Sequence, residues 1–106
     1  MDKVSIIVLV WNKAKISTQC IASIIESTKH PYELIIIDNG SEPALDTYFA
    51  KKLRRRNNIK VIRNSRNEGF PQGCNIGMQH ATGKHVLLLN NDTIVTPYWL
   101  TRMVSS

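Results

Sequence analysis

The sequence predicts an α/β domain of three layers: a parallel sheet of four strands in the order 3-2-1-4, with helices on both faces. Three observations lead there. Four short apolar runs recur along the chain, Val4 to Val10, Leu34 to Ile37, Ile59 to Ile62 and Val86 to Leu89, and β-branched residues dominate the first three, as buried strands prefer. The segments between them carry helical periodicity, so the pattern is β-α-β-α-β-α-β, which argues for parallel strands joined by helical crossovers. If the first two right-handed crossovers run to one side and the third returns past strand 1, the order 3-2-1-4 follows.

Each element has its own justification. The opening MDKVSIIVLVW superficially resembles a signal peptide, but no small-residue cleavage site follows the apolar stretch and a polar helical pattern begins at once. A buried first strand is the better reading. Helix 1 shows an apolar stripe of Ile16, Cys20, Ile21, Ile24 and Ile25, and helix 2 one of Leu45, Tyr48, Phe49 and Leu53. Helix 3 is expected to begin near Pro71, a residue suited to a first helical position, and to run to about His80 before Thr82-Gly83 ends it. The unbroken apolar run of strand 4 reads as buried on both faces. Pro97 is expected to open a fourth helix that the chain end cuts short. This topology sets the helix bearing Cys20 and the helix bearing Cys74 on opposite faces of the sheet, too far apart for a disulfide.

Composition narrows the classes. A chain of 106 residues is one domain at most, with ordinary apolar and charged fractions of 42% and 21%. No apolar run approaches the ~20 residues that a membrane helix needs. Cys20 and Cys74 are too far apart for a CxxC unit and too few for a disulfide scaffold, and His30, His80 and His85 show no metal-ligand spacing. His80 and His85 read as surface residues flanking a turn. The cysteine pattern points to a reduced, cytoplasmic chain.

The net charge of +6 favours anionic partners. Much of the excess lies in KKLRRR, residues 51–56. This run reads as the solvated face and C-terminal end of a helix, with contact to an anionic membrane surface or a partner as the alternative. Nucleic acid is not expected, because no aromatic residues interleave as stacking platforms.

In open parallel sheets ligands bind beyond the carboxyl ends of the strands, near the point where the order reverses. Strand 1 is followed by Trp11 and Asn12, strand 2 by Asp38, Asn39, Gly40 and Ser41, strand 3 by Asn64, Arg66, Asn67 and Gly69, and strand 4 by Asn90, Asn91 and Asp92. An aromatic face, two carboxylates, an Arg and several amides would meet on one edge, which is a nucleotide site in kind. Each component has a plainer alternative. Trp11 could plug the sheet edge, Asp38 to Ser41 could be only a turn, and Asn90-Asn91-Asp92 could simply end a strand. As a functional group, Asn90-Asn91-Asp92 offers hard oxygen donors suited to Mg²⁺ or Mn²⁺ with a phosphorylated ligand. Gly69, Gly73 and Gly77 recur along helix 3; close packing on the sheet is the reading for Gly77, and Gly69 could let the backbone approach a ligand. The spacing is not GxGxxG, and no GxxxxGK[ST] appears.

With these residues in place, the chain resembles the N-terminal half of a family 2 glycosyltransferase of the Rossmann-like GT-A fold. The resemblance rests on VSIIVLVWN, ELIIIDNGS, NEGFPQGCNIG and HVLLLNNDT in that order, with the stripe near Ile16 and the trailing TPYWL in agreement, and it covers essentially all 106 residues. It is nearest to the branch making rhamnosyl and related linkages in bacterial surface polysaccharides.

The resemblance implies roles. Trp11 stands beside the nucleobase where the family usually has a Tyr, Val10 where a Thr is common, and Asn12 follows them. Asp38 matches the carboxylate that accepts from a ring N–H of the base. Arg66 and Asn67, with Gly69, lie in the segment lining base and diphosphate. Asn90-Asn91-Asp92 occupies the DxD motif, with Asn91 near the ribose and Asp92 as the direct ligand of Mg²⁺ or Mn²⁺. Two departures matter. Asn90 replaces the first Asp, so one carboxylate anchors the metal. The general base of an inverting transfer comes from the family's C-terminal half, and Glu42 and Asp46 have no evident route to an acceptor. Residues 1–106 are therefore expected to be a truncated domain, the donor-binding half, inactive alone. Its implied partners are a nucleoside-diphosphate sugar and a saccharide or lipid-linked acceptor. Residues 51–56 would allow peripheral contact at the inner membrane face, and the bare edge of strand 4 would allow self-association. A non-catalytic nucleotide-binding or regulatory α/β domain remains the alternative. Its receiver-domain version lacks an acidic pair after strand 1 and an Asp after strand 3, where Trp11-Asn12 and Asn64-Ser65 stand.

Overall fold

The computed structural model describes residues 2–11, 14–40 and 47–105, without the side chains of residues 14, 47–50 and 105. Asn12, Ser41, Glu42, Leu45 and Asp46, and the side chains of Tyr48 and Phe49, lie outside the described residues. The elements alternate as predicted: β1 Val4–Val10, α1 Ala14–Ser27, β2 Tyr32–Asn39, α2 Thr47–Arg54, β3 Ile59–Asn64, α3 Phe70–His80, β4 His85–Leu89 and α4 Trp99–Ser105. The strands form one parallel sheet in the order β3-β2-β1-β4, the order expected from the crossover rule.

Side chains of each strand alternate between two core layers. Val4, Ile6, Val8, Val10, Leu34, Ile36 and Ile59 pack with Cys20, Ile21 and Ile24 of α1, Leu53 of α2 and Leu100 of α4. Ile7, Ile35 and Ile37 form the second layer with Leu9, Ile62 and Ile76 of α3. Cys20 and Cys74 thus belong to helices on opposite faces, and both are free thiols. Gly73 and Gly77 allow α3 to lie close on β1: a Cβ at Gly77 would stand 2.7 Å from Ile7 Cγ2, and one at Gly73 would run into Leu9.

Three expectations need correction. The apolar stripe of α1 does not begin at Ile16, which is exposed; Ser17 is fully buried in its place and Ile25 is half-buried. β4 is not buried on both faces. It pairs only with β1, and α3 lies over β1 and β2, so Val86 and Leu88 on that face remain 45% and 48% exposed. Finally, α4 starts at Trp99 rather than Pro97, because Tyr98 takes a left-handed conformation with φ 64° between them.

Candidate functional site

The ends of β2, β1 and β4 lie side by side at the carboxyl edge of the sheet, so the residues that follow them share one rim. The side chain of Val10 is buried in the core, which leaves only its backbone to meet a ligand. Trp11, next along, is 53% exposed. That exposure is more than a plug over the edge would keep, and it leaves Trp11 available for stacking.

β2 ends in two buried polar residues that alternate between the faces of the sheet. Asp38 shares the α1 side with Val10, its neighbour in register, and its Oδ2 lies 3.8 Å from Nη1 of Arg63 on β3. Asn39, on the α3 side, reaches the loop that follows β3. Its Nδ2 donates to Asn67 Oδ1 at 2.9 Å and to the Gly69 carbonyl at 3.3 Å. Its Oδ1 accepts from Asn64 Nδ2 and from the Glu68 N–H, both at 2.9 Å. Asn67 Oδ1 also accepts from the Gly69 N–H at 2.7 Å. Gly40 permits the contact, since φ is +79° there and a Cβ would stand 2.5 Å from the Arg66 carbonyl carbon and 2.7 Å from the Asn67 nitrogen.

Arg66 is exposed on this loop, its Nε 3.2 Å from Glu68 Oε1. Gly69 has φ 86° and caps the start of α3. A Cβ there would meet nothing nearer than Pro71 Cδ at 4.0 Å, so Gly69 serves backbone conformation, and the close approach belongs to Gly40.

Asn90-Asn91-Asp92 does form a turn, with the Thr93 N–H donating to the Asn90 carbonyl at 3.2 Å. That turn is pinned to α1. Cys20 Sγ donates to the Asn90 carbonyl at 3.6 Å and Asn91 Nδ2 donates to Ser17 Oγ at 3.0 Å. Farther on, the Val95 N–H donates to Ser23 Oγ at 3.1 Å and Trp99 Nε1 to Thr28 Oγ1 at 2.9 Å. Burial pushes the Cys20 thiol up, and the Asp92 carboxylate adds to the rise against an opposing backbone hydrogen bond from Thr93. Cys20 therefore stays a neutral donor.

Asp92 itself is exposed at the rim. It offers one hard oxygen donor, and no group of three His, Cys, Asp or Glu stands ready for a metal among the described residues. That donor set fits a divalent cation whose remaining ligands arrive with a phosphorylated molecule and water, and not a cation held by protein alone.

The rim thus carries Val10, Trp11, Asp38, Arg66, Asn67, Gly69, Asn91 and Asp92 at the predicted strand ends, while Asn12 lies outside the described residues. Asn39, Gly40, Ser17 and Ser23 hold it together; the sequence sets Asn39 and Gly40 at the end of strand 2 without a role of their own, and gives no sign of Ser17 and Ser23. Their signal was thin: Asn-Gly after a strand reads as a turn, and serines on a helix read as its wet face.

Comparison with known proteins adds an independent view. The family model described as "Glycosyl transferase family 2" matches residues 5–106. An uncharacterized glycosyltransferase of Haemophilus influenzae is 31% identical over 102 residues, covering 96% of this chain and 32% of its own. The crystal structure of S. aureus TarS 1-349 in complex with UDP-GlcNAc superposes with a TM-score of 0.82 at 25% identity, over 97% of this chain and 30% of TarS 1-349. The complex of the same protein with UDP gives a TM-score of 0.81, also at 25% identity, over 97% of this chain and 31% of that one. The chain spans about a third of the length of these relatives.

Proposed function

The chain belongs to glycosyl transferase family 2, and from that premise we propose that its rim is the donor site of an inverting transfer from a nucleoside-diphosphate sugar. The observation that carries this reading is the convergence of Trp11, Asp38 and Asp92 on the tips of three adjacent strands. In this reading Trp11 stacks on the base, and the Asp38 carboxylate, set in place by Arg63, accepts from a ring N–H. Exposed Arg66 faces the diphosphate. Asp92 would hold Mg²⁺ or Mn²⁺ together with diphosphate oxygens, and a cation bound there supplies Lewis-acid neutralisation of the departing nucleotide. The solved complexes of TarS with UDP and UDP-GlcNAc support the choice of ligand class.

The acceptor in this proposal is a saccharide or lipid-linked sugar of a surface polysaccharide, and the compartment is the cytoplasm. Residues 51–56 suit peripheral contact with an anionic membrane, since all but Leu53 are exposed. Asp38 and Asp92 are committed to binding, so the general base is proposed to come from outside this sequence, and the chain alone is expected to bind donor without transferring sugar.

Titration of the chain with UDP, dTDP and GDP, with and without Mn²⁺, tests the proposal. One nucleotide should bind, and Mn²⁺ should tighten it. Asp92→Ala should abolish the gain from Mn²⁺, a loss of about tenfold in affinity, with the fold intact. No binding by a folded sample sinks the site. Metal-independent binding indifferent to Asp92→Ala favours a non-catalytic nucleotide-binding domain.

A further inference from the structure

Asn39 uses its whole hydrogen-bonding capacity on one loop. A carboxamide has two N–H bonds to give and two lone pairs to receive with. Both N–H bonds go to Asn67 Oδ1 and the Gly69 carbonyl, and both lone pairs receive from Asn64 Nδ2 and the Glu68 N–H. Its orientation is forced, because the Glu68 N–H can only donate and the Gly69 carbonyl can only accept. Asn39 itself is only 1% exposed, so its own amide has no water as an easy substitute for a partner it loses. An Asp of the same shape would set a charged oxygen against two acceptors.

The loop so held carries Arg66. Its backbone is confined from one side by Gly40, whose missing Cβ leaves room for Arg66 and Asn67, and from the other by Asn39 through Glu68 and Gly69. The Arg66 guanidinium then rests on Glu68, the residue whose N–H Asn39 holds.

We propose that Asn39 is a positioning residue for the donor diphosphate: through residues 64–69 it fixes where Arg66 stands on the rim. The proposal rests on the donor-site reading above. Asn39 touches no ligand and acts only through the loop. Its neighbour Asp38, on the opposite face of the same strand, serves the base, so one strand tip orients both ends of the nucleotide.

A double-mutant cycle separates positioning from general support of the fold. The probe is whichever of UDP, dTDP and GDP binds most tightly with Mn²⁺. Asn39→Asp should weaken binding by about tenfold in the wild-type background and by less than about threefold in an Arg66→Ala background, because the group being positioned is gone. Should Asn39→Asp fail to fold, Asn64→Ala removes one donor to Asn39 at a half-buried site and is read by the same comparison. Equal losses in both backgrounds, or no loss in either, overturn the positioning role while leaving the donor site standing. Failure of the wild-type chain to bind any of the three nucleotides overturns both.

Discussion

Glu33 sits near the amino end of β2, away from the ligand rim, and is a carboxylate only 4% exposed. Burial alone would raise its pKa, yet hydrogen bonds from Ser5 Oγ, from both the side chain and the N–H of Thr82, and from Lys60 outweigh that effect and hold it at about 2 against an ordinary 4.5. The contacts are short: 2.7 Å to Ser5 Oγ, 2.6 Å to each Thr82 donor and 3.3 Å to Lys60 Nζ. Because the folded-state pKa is depressed, the stabilisation is complete above the unfolded value near 4.5 and drains away as pH falls through about 2. A difference of this size is worth on the order of 3 kcal/mol. Urea denaturation between pH 5 and 2 should show the wild-type chain losing that amount beyond a Glu33→Gln variant, whose acid limb should be flatter. Parallel limbs would show that Glu33 carries no such linkage. A lone Glu before an apolar run gave no hint of this cluster. It depends on Thr82, reached only when α3 ends and the chain docks Gly83 against Ser5, with the Gly83 N–H 2.8 Å from Ser5 Oγ.

Among the elements, α3 is the one whose fit depends most on missing atoms. At Gly77 an added Cβ would lie 2.7 Å from Ile7 Cγ2 and 3.1 Å from Cδ1, and Ile7 is a β-branched residue 1% exposed with little room to turn. Ala for Gly within a helix favours folding by about 1 kcal/mol, whereas overpacking a tight core costs about 1–3 kcal/mol. The clash should win, and Gly77→Ala should lower stability by roughly 1–2 kcal/mol, read as a lower midpoint of urea denaturation. A variant as stable as the wild type would mean that α3 can lift off the sheet freely. The close-packing role of Gly77 was legible because a small residue on a helix between apolar neighbours has few other uses. The existence of the eight elements among the described residues was legible too, since apolar runs and helical periodicity are local signals. What stayed hidden was set by tertiary partners. Ser17 and Ser23 of α1 look like a solvated face until the segment after β4 crosses them and takes their hydroxyls. The start of α4 was displaced by the backbone of Tyr98, which no periodicity reports.

At the scale of the whole molecule, the order 3-2-1-4 followed from crossover handedness, but which face of an edge strand would be covered did not. β4 pairs with β1 alone, and Val86 and Leu88 stand half exposed beside it because α3 covers β1 and β2. On the other face a groove of about 250 Å³, lined by Val4, Leu87, Leu100 and Met103 among others, runs along the same strand. An open strand edge flanked by apolar side chains is a template for pairing with another chain. We expect the chain to self-associate through β4. Two forces oppose one another here: apolar burial draws copies together, while a net charge of +6 on each holds them apart. Raising ionic strength from about 0.01 M to 0.15 M shortens the screening length from about 30 Å to 8 Å, so association should grow with salt, the reverse of an assembly held by ion pairs. Val86→Lys with Leu88→Lys should suppress it at all salt concentrations, since both side chains already lie half in water and the changes place charges beside the edge. Sedimentation velocity across a concentration series at both ionic strengths gives the readout. A monomer throughout, or an oligomer that dissolves as salt rises, would remove the β4 edge as the contact.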